Sequence, residues 1–163
     1  MLWFTADHHF GHSNIIKYCN RPFKSVEHMN AEMVRRWNER VASEDRVFHL
    51  GDFCFEGNSR SETFKSWTNI LNGEIILIRG NHDRWRNSRI VSADIKLGGR
   101  LIHLSHRPEF VYELNFCAHV HNGWRVKRKD RKVVVNVGVD VWDFYPVTLA
   151  EILDVIKNEE GNL

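Results

Sequence analysis

Cysteine is scarce in this 163-residue chain. Cys19, Cys54 and Cys117 are odd in number, and no Cys-x-x-Cys occurs. That argues against a disulfide framework and a four-thiolate zinc site, and makes a reducing, cytoplasmic setting the expectation. No apolar run approaches the ~20 residues that a membrane-spanning helix needs, so no membrane association is expected. The start, Leu2-Trp3-Phe4 followed soon by Asp7, lacks the basic segment, apolar stretch and cleavage site of a secretory leader. Charge of one sign is lacking too. Lys and Arg number 23 against 21 Asp and Glu, a net charge of +2 that speaks neither for nor against a polyanionic partner. There is no Walker loop, internal repeat, low-complexity segment or linker. The length suits one domain spanning 1–163 with a substantial core.

Histidine is plentiful: there are ten, several beside Asp or Asn. The apolar run Ile75-Ile76-Leu77-Ile78 reads as a buried strand that ends in Gly80-Asn81-His82-Asp83. The pattern recurs. Leu2–Ala6 leads into Asp7-His8-His9, and Val47–Leu50 into Gly51-Asp52. Leu101–Ser105 leads into His106, and Phe116–Ala118 into His119-Val120-His121. Ligands in α/β sheets bind at the carboxyl ends of strands, so five such deliveries point to a metal site assembled from strand-end loops.

The remaining pattern alternates helix and strand early and is strand-rich later. His12 to Tyr18 reads as a short helix capped by Ser13. Val26, Met29, Met33, Trp37 and Val41 form one apolar stripe on a helix over 25–42, with Ser25 as its cap. Ser59 and Glu62, or a start at Ser61, open a helix whose apolar face is Phe64, Trp67, Ile70 and Leu71. Asn72-Gly73 ends it. Gly98-Gly99 predicts a hairpin joining 90–97 to 100–105. Strands over 123–126 and 132–139 flank a charged turn at 127–131. Thr148 and Glu151 form a capping box for a last helix that frays after Lys157. The expected fold is an α/β sandwich of packed sheets and outer helices, with a metal centre at one edge.

Alternate residues of an extended strand point the same way, so Asp7 and His9 can approach one cation together, as can His119 and His121. Paired strand histidines without a metal are the alternative. A carboxylate such as Asp52 can bridge two cations, Asn81 offers a neutral carbonyl oxygen, and His106 adds an imidazole. Asp7, His9, Asp52, Asn81, His106, His119 and His121 are enough donors for two ions. Mixed oxygen and nitrogen ligation favours manganese, with iron, zinc, cobalt or nickel as alternatives. A pair of ions about 3.5–4 Å apart can orient a phosphate and generate a hydroxide nucleophile.

The set Asp7-x-His9, Gly51-Asp52, Gly80-Asn81-His82-Asp83, His106 and Ala118-His119-x-His121 resembles the calcineurin-like metallophosphoesterases. Asp7–Ile15 and Asn136-Val137-Gly138-Val139-Asp140 are similar to a compact bacterial and phage subgroup. The resemblance implies a four-layer α/β/β/α sandwich. It also implies one metal on Asp7, His9 and His121, a second on Asn81, His106 and His119, and Asp52 as the bridge. Ala118 departs from the family's usual glycine, which concerns loop geometry and removes no ligand.

His82 is placed to protonate the departing oxygen or to hydrogen-bond a phosphate oxygen, with Asp83 orienting its ring directly or through a short network, and the resemblance favours a catalytic role. A His-Asp pair that merely steadies the loop is the alternative. His12, Asn14, Arg21, Arg84 and Arg107 are candidate substrate or supporting contacts, each with a local structural reading beside it. The expected activity is dinuclear metal-dependent hydrolysis of a phosphomonoester or phosphodiester by a metal-bound hydroxide, with a nucleotide among the candidate substrates. The basic run Lys127–Lys132 motivates the second reading, a metal-stabilised nucleic-acid-binding protein with little hydrolysis. A charged hairpin tip is its plainer explanation.

Overall fold

The computed structural model describes residues 1–55, 60–83 and 89–160, with no side-chain description at 60–62 and 160. Three parallel strands, β1 (Leu2–Thr5), β2 (Arg46–His49) and β3 (Glu74–Leu77), form the first sheet in that order. Helices α1 (Ser13–Tyr18) and α2 (Val26–Arg40) connect β1 to β2, and α3 (Arg60–Thr68) precedes β3. The second sheet contains β4 (Ser92–Leu97), β5 (Arg100–Ser105), β6 (Leu114–Cys117), β7 (Val126–Lys129) and β8 (Lys132–Asn136), ordered β4-β5-β6-β8-β7. Strands β5, β6 and β8 are mutually parallel, while β4 and β7 pair antiparallel as hairpin edges. The chain closes with α4 (Leu149–Glu160). Two sheets flanked by helices make the α/β sandwich expected from the sequence.

The core has two compartments. The α2 stripe inserts Met29, Met33 and Trp37, all fully buried, against Trp3, Val47 and Phe53. Ser25 Oγ caps this helix by accepting from His28 N–H at 3.2 Å. Trp37 satisfies its indole N–H on Asn72 O at 2.9 Å, so its apolar area is buried without stranding a donor. Each fully buried side chain of this size is worth roughly 1.5–3 kcal/mol. Between the sheets, Phe4, Leu50 and Ile78 meet Ile102, Leu104, Phe116 and Val135, joined by Ile152 and Ile156 of α4. The Phe4 and Phe116 rings cross edge to face at 4.8 Å. Thr148 and Glu151 cap α4 reciprocally: Glu151 Oε2 accepts from Thr148 N–H at 2.8 Å, and Thr148 Oγ1 from Glu151 N–H at 3.4 Å.

Several local expectations move. The N-cap of α1 is His12, with no side-chain capping bond, rather than Ser13. Ile70 lies beyond the end of α3 and is half exposed, whereas Leu71 is buried. The proposed Ser59 cap falls outside the described residues. The hairpin at Gly98-Gly99 forms as expected, with Leu97 opposite Arg100 and both glycines at positive φ. The basic run is a strand rather than a broad turn. Lys127, Arg128 and Lys129 lie in β7, and the turn narrows to Asp130-Arg131, with Asp130 at φ 55°. Charged residues on a sheet's edge strand discourage further strand pairing. The last strand stops at Asn136, and residues 139–141 turn in a short 3₁₀ segment. Helix α4 continues to Glu160 rather than fraying after Lys157.

Candidate metal centre

Strands β1, β2 and β3 are parallel within one sheet, as are β5, β6 and β8 in the other. Their carboxyl ends therefore deliver Asp7, Asp52, Asn81, His106 and His119 to one edge of the sandwich. The convergence does not use extended backbone, as the alternating spacing suggested. Asp7, His9, Asp52, His119 and His121 have φ of 57°, 51°, 54°, 71° and 47°. Left-handed backbone costs a non-glycine residue about 1–2 kcal/mol, and such strain gathers where surrounding structure imposes it. Here Asp7 N–H donates to Gly51 O, and His9 N–H to Asp52 O, each at 3.0 Å. Ala118 is not among the positive-φ residues, so a methyl group is accommodated there.

Among the described residues three groups of donors result; one of them, Cys19, His121 and Asp140, lies behind His121, and the other two face the edge of the sandwich. Asp7, His9 and His121 place one ligand atom each within 4.8 Å of one another, and so do Asp52, His106 and His119. Asn81 joins the second group, its Oδ1 lying 2.9 Å from His106 Nε2. Asp52 Oδ2 stands between the groups, 3.5 Å from His9 Nε2 and 3.5 Å from His106 Nε2.

The donor chemistry fits cations. His119 N–H donates to Asp7 Oδ2 at 2.9 Å, while Asp7 Oδ1 is buried without a hydrogen-bond partner among the described residues. His9 Nε2 is likewise buried and unpartnered. Burial raises the Asp7 carboxyl to about 7 against the pull of His121, and the Asp52 and Asp140 charges add to the rise. Burial also raises Asp52 and lowers His9, His106 and His119. Neutral imidazoles and carboxyls short of positive charge are a suitable lining for metal ions. His106 Nδ1 lies 2.8 Å from Leu50 O and carries a proton to donate to it, which turns the Nε2 lone pair toward Asn81 and Asp52.

His121 behaves differently. Burial alone would lower it, but hydrogen bonds with Asp140 and Cys19 prevail and push it up to about 10. Its Nδ1 is 2.9 Å from Asp140 Oδ2, an arrangement that sends Nε2 toward the centre. Asp140 is in turn gripped by Arg21, whose Nε and Nη2 donate to its two oxygens at 2.7 and 3.0 Å. The same guanidinium donates to Asp7 O at 2.6 Å and His8 O at 2.9 Å.

Arg21 is thus not a substrate contact: its side chain is enclosed and its donors hold the ligand loops. Asp140 is a candidate supporting residue that the sequence reading did not assign, although its signal was present in Asn136–Asp140. Asn136 Nδ2 donates to His121 O at 2.7 Å and Trp124 O at 3.0 Å, tying that segment to the ligand loop.

Among the described residues Asp83 makes no direct bond to the His82 ring and reaches it only by way of Asp52. Its oxygens accept from the backbone N–H groups of Asp52 at 2.6 Å, Gly80 at 2.8 Å and Phe53 at 3.0 Å, stapling two ligand turns together. His82 N–H donates to Asp52 Oδ1 at 2.9 Å. The His82 side chain is 44% exposed, with Nε2 3.9 Å from Asp52 Oδ2, so it stands at the solvent side of the centre. His12 is partly buried, with Nδ1 3.5 Å from His9 Nδ1, and its ring stacks on the exposed Phe55 at 4.4 Å. Asn14 is exposed on α1 and joins neither donor group. Arg107 is exposed immediately after His106. Arg84 lies outside the described residues. His8 and His49 are buried and face each other at 2.9 Å, away from both groups.

A sequence model of the calcineurin-like phosphoesterase superfamily domain matches residues 23–142. An uncharacterized protein of Methanocaldococcus jannaschii, MJ1445, is 36% identical over 164 residues, covering 96% of this chain and 91% of that one. Gene 66 protein of Mycobacterium phage D29 is 34% identical over 83 residues, 51% of this chain and 40% of its own length. Among solved structures, a protein of unknown function from Aquifex aeolicus, AQ665, aligns with TM-score 0.70 and 25% identity, covering 95% of this chain and 98% of that one. Vps29 from Entamoeba histolytica, in a complex with zinc, aligns with TM-score 0.51 and 17% identity over 84% of this chain and 73% of its own. At that identity the likeness concerns the fold.

Proposed function

The chain belongs to the calcineurin-like phosphoesterase superfamily, and from that membership we propose that it is a dinuclear metal-dependent hydrolase of phosphomonoesters or phosphodiesters. One observation carries the dinuclear reading. Asp52 Oδ2 is 3.5 Å from an imidazole nitrogen of each donor group, the place a bridging carboxylate must take. Asp7, His9 and His121 would hold one ion. Asn81, His106 and His119 would hold the other, with Asp52 shared. Carboxylate, carbonyl and imidazole donors suit manganese first, with iron, zinc, cobalt and nickel as alternatives. Such ions supply positive charge to the phosphoryl oxygens and acidify water.

The chain's own residues provide the rest. His82 is exposed enough to meet substrate and is tethered through its backbone to Asp52. It can give a proton to the departing oxygen, and its position beside the shared carboxylate keeps the proton near the reacting bond. Asp83 keeps the Asp52 and Gly80 turns at fixed separation, while Asp140 and Arg21 hold His121 and the Asp7 loop. The deciding experiment reconstitutes the full chain with each metal and assays a matched panel of phosphomonoesters and phosphodiesters beside metal analysis. Two bound ions with metal-dependent release of phosphate or alcohol are expected. A folded, two-metal protein inert toward the whole panel would sink the hydrolase reading.

A further inference from the structure

A cleft of about 520 Å³ opens beside the second donor group, lined in part by Asn81 and His106 and by Arg79, Arg107, Val91 and Glu109. That volume lies within the range of small-ligand sites. Its two arginines are placed by the ligands themselves. Arg79 is two residues before Asn81, and Arg107 directly follows His106. Both are exposed, and among the described residues neither guanidinium has an ion-pair or hydrogen-bond partner. Of the cleft's carboxylates, Asp83 is turned to three backbone N–H groups, and Glu109 Oε2 lies 3.5 Å from His103 Nε2. Two guanidinium groups therefore line one cavity together with these two carboxylates.

Unpaired guanidinium groups converging on a cavity suit an anion, and their fork geometry matches phosphate oxygens. We propose that this cleft binds a second phosphate of the substrate, so that the preferred ester is a small molecule phosphorylated at two positions. The inference rests on the hydrolase reading and adds the class of substrate. One phosphate would meet the ions that the donor groups hold while the other lies between Arg79 and Arg107. Val91 offers an apolar wall to the carbon skeleton between them.

The test compares adenosine 3′,5′-bisphosphate with adenosine 3′-monophosphate and 5′-monophosphate on the manganese-loaded full chain. Wild type, Arg79→Gln, Arg107→Gln and the double variant are assayed, with metal content and melting temperature measured for each. The bisphosphate is expected to exceed the better monophosphate in kcat/KM by about tenfold or more. Each substitution should reduce that ratio by several-fold, and the double variant should bring it close to one, mainly through KM. Equal kcat/KM for bisphosphate and monophosphates in wild type, or a ratio that survives in the double variant, overturns the inference. Calorimetric binding separates this from failure of the hydrolase reading. If no compound is hydrolysed, tighter binding of bisphosphate than of monophosphate, lost in the double variant, supports the cleft, and equal affinities overturn it.

Discussion

Gly80 and Asp52 approach so closely that a methyl group on Gly80 would lie 2.2 Å from Asp52 Oδ1 and 2.4 Å from the Asp52 nitrogen. Gly51 packs from the other side, where an added carbon would meet Gly80 N at 2.5 Å. The shared carboxylate is thus seated by the absence of side chains around it. Gly80→Ala should displace Asp52, cost about 1–3 kcal/mol through overpacking, and reduce bound metal from two ions to at most one. Thermal melting and metal analysis check this. A variant with wild-type melting and two ions would refute the seating argument.

Asp140→Asn preserves size while removing the charge that pairs with both His121 and Arg21. Metal affinity should fall about 10–100-fold, as for other residues that orient a ligand from behind. Competition with a fluorescent chelator measures the change. An unaltered affinity would mean that Asp140 serves only the loop fold.

His82→Ala should leave metal content intact and lower turnover by about 10²–10⁴-fold on esters of poorly acidic alcohols. Esters of p-nitrophenol, whose leaving group needs no proton, should lose far less. A uniform loss across both kinds of ester would remove His82 as the proton donor.

Acid stability is expected to depend on Asp45. Hydrogen bonds from the Met1 amino group, the Trp3 indole and Ala42 N–H hold its carboxyl down at about 2, from an ordinary 3.8. A depressed carboxyl stabilises the fold fully above its unfolded value, and that contribution disappears as pH falls from about 3.8 through about 2. Asp45→Asn should therefore melt lower at neutral pH and show a shallower decline across that acid window. Melting curves from pH 2 to 7 would show whether the two proteins instead lose stability in parallel.

Chelation should lower the melting temperature, because it leaves Asp7 Oδ1 and His9 Nε2 buried without partners. Ions that bind only the folded chain raise its stability in proportion to the logarithm of their concentration over Kd. Differential scanning calorimetry at graded manganese concentrations should show a rising melting temperature. A constant value would argue against ion binding at this centre.

Much was legible where chemistry and local pattern coincide. The α2 stripe from Val26 to Val41, the Gly98-Gly99 hairpin and the Thr148–Glu151 cap each depend on neighbours a few residues away, and each formed. The reading failed where a local rule met a distant constraint. Asp7-x-His9 looked like alternation on a strand, yet both residues adopt left-handed backbone because the Asp52 loop receives their N–H groups. Asp83 looked like the partner of its neighbour His82, yet three backbone donors converge on it. Arg21 was open to a substrate contact or a loop-fixing role, and Asp140, 119 positions away, takes its guanidinium into the second.

The sequence alone determined the kinds of donor and their delivery at strand ends, because strand periodicity and ligand chemistry are carried by short segments. It also determined that thiolates would not dominate the centre. Only the tertiary structure decided which oxygen of Asp52 lies between an imidazole of each group, and that Asp140 and Arg21 stand behind His121. Those outcomes depend on the parallel alignment of six strands in two sheets. They also depend on contacts between residues far apart in the chain, which no local spacing specifies.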